Sequence, residues 1–535
     1  MKLEYKDKLF WLHCDYEKRH LPKLAGFAWN KKERTWATPF LSNVKKIPYS
    51  YLSKEDFLEA SKGKDEQIKT YLASSSITSS LNIPTPAGLK FYDFQRAGIQ
   101  FMIEQKRVLL ADQMGIGKTI QAIGLCNFLE DQMNRPLKIL IVCPASLKVN
   151  WHNEWLKWTT TPFSVDIATS KFYPESLVVI INYDILIKYE KKIKEKFWDV
   201  LILDESHYLK NTKAQRTRVL FGSKEIKKIE ADRVLALTGT PILNKPIEIY
   251  SILKFLNPAG WSNKVSFAKR YCNATENSFG WDMSGASNLD ELQAHLRSTV
   301  MIRRLKKDVL KDLPEKTRQI LEISLDDRHS KKIINAEKEM IQKMVKNNLD
   351  ENYIYNDEEF SNIIKNFTGF NTNFSEISSL RKEIAMSKLN SIITHLEDCL
   401  ESTDKIVCFA YHTDLIDAIK NHFKESSVVI KGSTSMKDRH NAVQSFQENK
   451  EIKLFIGNIK SAGVGLTLTA AYHIVFAELT WSPGELSQAE DRCHRIGQKN
   501  NLLIQHLLLK GSIDFYVIKT IINKQEIIDK ALNIS

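Results

Sequence analysis

The chain has 535 residues, more than one hydrophobic core accommodates, so several domains are expected. Its 43% hydrophobic and 26% charged residues are ordinary for a globular protein, and no apolar stretch is long enough to span a bilayer. A formal net charge of +13 fits a polyanionic partner, although excess lysine also serves simply to solvate a surface. The seven cysteines (Cys14, Cys126, Cys143, Cys272, Cys399, Cys408 and Cys493) are scattered without a Cys-x-x-Cys pair, which argues against a disulfide framework or bound zinc and suits a reducing compartment. Met1 to Phe10 carries charges throughout and has no apolar signal core. A cytoplasmic or nucleoid-associated protein with no membrane contact is expected.

Residues 1–72 are read as a small β-rich module. Phe10-Trp11-Leu12, the run Ala25 to Asn30 and Arg34-Thr35-Trp36 look like short strands around a polar turn. Burial of the aromatics is the favoured reading; the interleaved Trp and Arg are also suited to stacking on nucleic acid. Residues 73–87, with Ser74-Ser75-Ser76 and Pro84-Thr85-Pro86, read as a linker.

From 88 to 256 strands alternate with helices, as in a parallel doubly wound sheet. Buried strands are expected at Val108–Ala111, Lys138–Cys143, Leu177–Asn182, Val200–Leu203 and Val234–Thr238. The first runs into Asp112-Gln113-Met114-Gly115-Ile116-Gly117-Lys118-Thr119 and then an amphipathic stretch, the setting of a phosphate-binding loop. Backbone N–H groups of the loop and the positive end of the new helix would face the phosphates. Lys118 would reach the outer phosphates of ATP and Thr119 would ligate Mg²⁺. Asp112 stands where the plain motif has its first glycine. Asp204-Glu205-Ser206-His207 closes the strand from Val200. Asp204 is expected to hold the metal through its waters, and Glu205 to orient the attacking water. Thr238-Gly239-Thr240-Pro241 closes the next strand, where its hydroxyls could sense the γ-phosphate and relay it onward. His207 is read as a coupling or structural residue.

Residues 257–386 read as helical insertions and the connection between lobes, with a Lys/Asn/Glu-rich stretch at 331–373. A second alternation fills 387–518, with strands at Lys405–Ala410, Val428–Ile430, Leu454–Ile456, Ile474–Phe476 and Leu502–Leu508. Ser482-Pro483-Gly484-Glu485 reads as a helix start. On that helix Gln488, Arg492 and Arg495 fall at i, i+4 and i+7, hence on one face. Arginines presented to a nucleotide cleft act as fingers, worth roughly 10³–10⁵ in rate. Residues 519–535 read as a closing helix.

Together with Gln488-Ala489-Glu490-Asp491-Arg492-Cys493-His494-Arg495-Ile496-Gly497-Gln498, these signatures resemble the Swi/Snf-related branch of the superfamily-two helicase-like ATPases, in that family's order over residues 88–515. The resemblance implies an α/β fold of two RecA-like parallel-sheet lobes with helical insertions between them, plus the small N-terminal β-rich module. It makes Phe94-Gln95 the adenine-reading motif, with Gln95 as the bonding residue, and Asp112 to Thr119 the nucleotide loop. Pro144, Ser146 and Trp151 on the first lobe, and Ser461, Gly463 and Gly465 on the second, resemble segments touching the DNA backbone. Met301 to Val309 and Leu313 to Lys316 look like the inter-lobe linker. Val475 to Gly484 looks most like the annealing-helicase, fork-remodelling branch, and the Trp29 and Trp36 segment is faintly similar to the small DNA-structure-recognition module of those enzymes. The function implied is a monomeric, DNA-dependent ATPase that translocates on double-stranded DNA and remodels branched DNA. Competing readings are a strand-separating DNA or RNA helicase and a non-hydrolysing ATP-bound clamp.

Overall fold

Apolar runs bounded by turn residues become parallel strands here, because a strand covered on both faces has no polar side to present. The computed structural model describes residues 1–30, 33–161, 164–223, 226–277, 280–323, 332, 335, 374–463, 465–480, 482–510, 512 and 514–533. Apart from 332 and 335, the 331–373 stretch read as a helical insertion lies outside them. The chain divides into two compact units, Met1–Lys311 with Ile527–Ser535, and Asp312–Glu526.

Unit 1 opens with an antiparallel sheet of β1 (Lys2–Lys6), β2 (Leu9–His13), β3 (Ala28–Asn30) and β4 (Thr35–Thr38), in the order β1-β2-β4-β3. Its alternating inward residues Leu3, Phe10 and Leu12 pack with Ala25, Phe27, Val44 and Ile47 in a core of their own. The module is less purely β than its sequence suggests, because a helix spans Lys54–Ala73. Ser53 Oγ accepts from the Asp56 N–H at 3.2 Å and Asp56 accepts from the Ser53 N–H at 2.6 Å, a reciprocal cap that starts the helix. Gly63 lets that helix close on β2, where a Cβ would come within 2.2 Å of the Phe10 ring. Phe40 joins the large core of unit 1, stacking on His295 at 4.1 Å and meeting Trp261 edge-on at 5.1 Å.

The main sheet of unit 1 comprises β5 (Arg107–Leu110), β6 (Ile139–Cys143), β7 (Val165–Ile167), β8 (Val178–Asn182), β9 (Trp198–Asp204) and β10 (Ala231–Leu237). A short hairpin of β11 (Thr275–Asn277) and β12 (Gly280–Asp282) follows, and then β13 (Met301–Ile302) returns to the edge of the sheet. The order is β13-β5-β10-β9-β6-β8-β7, every pairing parallel. The strands bearing the loop, the Thr-Gly-Thr turn and the Asp-Glu pair are therefore β5, β10 and β9, immediate neighbours whose carboxyl ends open at one edge. Ligand sites in open α/β sheets lie at such an edge.

Unit 2 has a second parallel sheet of β14 (Lys316–Ile323), β15 (Ile406–Ala410), β16 (Ser427–Ile430), β17 (Leu454–Asn458), β18 (His473–Phe476) and β19 (Leu502–Leu509), ordered β14-β19-β18-β15-β17-β16. One face buries Val407, Phe409, Phe446, Phe455 and Phe476; the other buries Ile406, Cys408 and Ile456 against Ile392, Leu396, Leu415 and Ile419 of two covering helices. The 257–386 segment thus supplies a strand to each sheet as well as helices. The final helix spans Asp514–Leu532. Among the described residues no helix is long and apolar enough to cross a membrane.

Candidate active site

The phosphate loop is built by backbone geometry. Gly115 (φ 80°) and Gly117 (φ 86°) take the left-handed conformation that side chains disfavour, and the Lys118–Met133 helix starts directly after them. A Cβ on Gly117 would also lie 2.5 Å from Gln95 Nε2. Gln95 is buried and locked, donating to the Ile116 carbonyl at 3.3 Å and accepting from the Tyr92 N–H at 3.0 Å. Met114 and Ile116 face inward, while Gly115, Gly117, Lys118 and Thr119 stay partly open. Lys118 Nζ donates to the carbonyls of Asp112 (2.9 Å) and Gln113 (3.3 Å). Burial lowers the Lys118 pKa, opposed by the charges of Glu205, Asp112 and Asp204.

Asp112 is not turned toward a ligand. Its carboxylate is sealed against Arg304, whose Nε and backbone N–H each donate to Oδ1 at 3.0 Å, and Gln121 donates to Oδ2 at 3.1 Å. A second guanidinium nitrogen of Arg304 closes on Oδ2 and also donates to Gln121 Oε1 at 2.7 Å. Asp112 thus leaves the nucleotide-contact set as a side chain and holds the loop from behind. Gln113 does the same by accepting from the Lys306 N–H at 2.8 Å.

At the end of β9, Asp204 Oδ2 accepts from Trp151 Nε1 (2.7 Å) and Oδ1 from the Glu205 N–H (2.9 Å). Burial, then the Glu205 charge, pushes the Asp204 pKa up to about 6. This crowded pair of hard oxygen donors, in the field of Lys118, fits a divalent cation, which would relieve the repulsion. Glu205 itself sits at φ 48°, a conformation that costs a non-glycine residue and occurs at functional sites. His207 Nδ1 lies 3.1 Å from Thr238 Oγ1 and 3.3 Å from Glu205 Oε2. Thr238 Oγ1 in turn accepts from the Thr240 N–H at 3.1 Å. Thr238 is thereby joined to Glu205 by way of His207, a link that spacing alone did not reveal.

Trp151 requires a correction. It is completely buried and spends its indole N–H on Asp204, so it supports that carboxylate and does not face DNA. Pro144 is also buried, whereas Ser146, in the turn that follows it, stays partly open. Tyr183 completes the support by donating to the Asp204 carbonyl at 2.7 Å.

In unit 2 the helix begins as read: Ser482 Oγ accepts from the Glu485 N–H at 3.4 Å with Pro483 in the first turn. The Glu485 carboxylate, however, accepts from Thr480 Oγ1 at 2.6 Å. The helix ends at Glu490, so Gln488 is on it while Arg492 and Arg495 lie in the turns beyond. Shared helical spacing is thus not what groups them. The chain tightens there, with the Arg492 N–H donating to Ala489 O at 3.2 Å. Both arginines converge instead on the Leu466 carbonyl, at 3.4 Å for Arg492 and 3.0 Å for Arg495. That carbonyl belongs to the segment of Ser461, Gly463 and Gly465. Ser461 donates its N–H to Asn458 Oδ1 at 3.1 Å, Gly463 could not carry a Cβ within 2.4 Å of Ile459 O, and Gly465 adopts φ 77°.

The SNF2-related domain matches residues 94–404, and the helicase conserved C-terminal domain matches 387–497. This chain belongs to the SNF2-related family. Among relatives of this SNF2-related chain, the Xenopus tropicalis "SWI/SNF-related matrix-associated actin-dependent regulator of chromatin subfamily A-like protein 1" is 33% identical over 84% of the chain and 46% of its own length. The mouse "DNA annealing helicase and endonuclease ZRANB3" is 33% identical over 86% of the chain and 42% of its own length. The chain therefore spans about half the length of the curated relatives it matches. A solved structure, the Sulfolobus solfataricus SWI2/SNF2 ATPase core in complex with dsDNA, aligns over 86% of this chain and 100% of its own at 23% identity and a TM-score of 0.39.

Proposed function

We propose that this chain is an ATP-driven translocase on double-stranded DNA that remodels branched DNA by fork regression or strand annealing. The observation that carries the reading is the meeting of the phosphate loop, the Thr-Gly-Thr turn and the Asp-Glu pair at the ends of neighbouring strands, with Lys118 in the field of Asp204 and Glu205. In this reading the ATP phosphates take the loop N–H groups, and Lys118 leaves the Asp112 and Gln113 carbonyls for phosphate oxygens. Gln95 ties adenine binding to the loop through Ile116. Thr119 and, through water, Asp204 would hold Mg²⁺, which would supply neutralising charge. Glu205 accepts from the attacking water, while His207 and Thr238 hold its orientation. Arg492 and Arg495 are the arginine fingers of this reading, and Gln488 belongs to the same catalytic set. Ser146, Ser461, Gly463 and Gly465 lie along the DNA backbone, with Pro144 shaping the first of these turns. In the N-terminal module Trp29, about half exposed and 5.4 Å from Trp36, is suited to unpaired bases at a junction.

The test is ATP turnover on single-stranded, duplex, forked and four-way DNA and on RNA, run beside triplex displacement and duplex unwinding. Branched duplex DNA should stimulate most, and a third strand should be displaced without unwinding of plain duplex. Unwinding without triplex displacement would establish a strand-separating helicase; DNA-bound ATP with no turnover would establish a clamp. Lys118→Ala should abolish turnover while leaving the salt dependence of DNA binding intact. Arg495→Ala should bind nucleotide but hydrolyse it slowly.

A further inference from the structure

Arg303 follows the short edge strand β13 and is buried beneath the phosphate loop. One guanidinium nitrogen donates to the Ala111 carbonyl at 2.7 Å and the Gly239 carbonyl at 3.3 Å. Ala111 is the last residue before the loop, and Gly239 is the centre of the Thr-Gly-Thr turn. One side chain therefore joins the root of the phosphate loop to the turn that reaches His207. On its other edge, Arg303 Nε donates to Asn533 Oδ1 at 2.7 Å.

Asn533 stands just past the Asp514–Leu532 helix and is fixed in turn by Asp529, its N–H meeting the Asp529 carbonyl and its Nδ2 the Asp529 carboxylate, both at 2.8 Å. The same helix end is received by Arg297, which donates to Leu532 O at 3.2 Å and to Arg303 O at 3.1 Å. Ile528, Ala531 and Leu532 bury into the core of unit 1. Cations at the carbonyl end of a helix are favourably placed. Here they do more than cap it, because the second cation also grips the nucleotide loop.

We infer that Arg303 is a positioning residue that makes the last turn of the C-terminal helix part of the nucleotide site. The planar fork fixes the distance between the loop root and the Gly239 turn, and Asn533 fixes the fork. A lysine in its place has one nitrogen and cannot span three acceptors in that geometry. The inference rests on the proposed ATP site, and it assigns to Asn533, more than four hundred residues from the loop in sequence, an influence on turnover.

The experiment measures DNA-stimulated kcat, KM for ATP, fluorescent-ADP affinity and thermal midpoint for Asn533→Ala, Asn533→Gln and Arg303→Lys beside the parent chain. Asn533→Ala should lower kcat about threefold to tenfold, with KM and ADP affinity changed less than about twofold, because the contact acts on alignment and not on ground-state binding. Arg303→Lys should lower kcat more than about tenfold despite keeping the charge. Asn533→Gln, which keeps the amide on a longer arm, should recover part of the loss. Parental kcat in Asn533→Ala or in Arg303→Lys overturns the inference, as does a loss in proportion to the drop in thermal midpoint or in ADP affinity. A parent chain that neither binds nor hydrolyses ATP would instead overturn the nucleotide-site reading itself.

Discussion

In unit 1 the residues after β13 meet a single carboxylate, Asp112, with a guanidinium that is itself sealed: Arg304 and Asp112 have side chains 1% and 0% exposed. In unit 2 the residues of β14 meet Glu490, equally buried, but with two cations. Lys316 lies 2.9 Å away, and Arg318 lies 2.6 Å away with half its side chain in solvent. The same stretch of chain thus grips the phosphate loop at one end and the helix bearing Gln488 at the other. A sealed pair has no water to replace a lost partner, whereas an open cluster does. The first arrangement fixes a loop rigidly, and the second holds a helix while tolerating adjustment.

The largest effect should come from opening the sealed pair. Arg304→Met leaves the Asp112 carboxylate buried with Gln121 as its remaining side-chain partner, and breaking such a pair costs about 3–5 kcal/mol. Asp112→Leu combined with Arg304→Met removes both charges and should recover most of that loss. Urea unfolding of the three chains, followed by a probe in the Lys118–Met133 helix, measures this. If Arg304→Met costs no more than a surface substitution, the contrast between the two units collapses.

The next effect sharpens the comparison through pH. Burial works to raise the Glu490 pKa, but Lys316 and Arg318 outweigh it and hold the group down at about 2, against an ordinary 4.5. A carboxylate depressed on folding stabilises above its unfolded pKa and loses that contribution as pH falls through the folded value. Glu490→Gln should therefore be less stable than the parent at pH 7 by on the order of 2–3 kcal/mol. The gap should narrow between about pH 4.5 and 2. A gap that stays constant over that range would show that Glu490 acts by shape and not by charge.

How much of this could be read beforehand follows from the range of each interaction. Most strands of both sheets were legible from apolar runs of three to five residues, as at Ile139–Cys143 and Ile406–Ala410. β13 has two residues and makes no pattern, and β14 disguises itself by leaving Arg318, Ile320 and Glu322 exposed beside half-buried Leu321 and Ile323. The Lys54–Ala73 helix was signalled by Ser53 and Asp56, a cap that its charged sequence obscured. The phosphate loop was legible because its chemistry is local: glycine conformation, a helix start and a lysine. The partners of Arg303 and Arg304 were not, since Asp112 lies 192 residues upstream of Arg304 and no spacing rule reaches so far. Trp151 shows the opposite failure. A motif position was clear, but only burial reveals that the indole serves a carboxylate.

The smallest effect tests the open side of the comparison. Arg318 donates to Glu490 through Nε at 2.8 Å and a terminal nitrogen at 2.6 Å, a good geometry that would count for much if it were dry. Half of its side chain is in solvent, where attraction is screened and water competes for the guanidinium, so such contacts are worth about 0–1 kcal/mol. Lys316 remains on Glu490 after its loss and keeps the buried carboxylate paired. Arg318→Met should therefore cost under about 1 kcal/mol at physiological salt, and the cost should shrink further as added salt shortens the screening length. Lys316→Met, which removes the less exposed cation, should cost more in the same assay. If Arg318→Met instead rivals Arg304→Met and ignores salt, the cluster in unit 2 is as closed as that in unit 1, and the helix bearing Gln488 is held as rigidly as the phosphate loop.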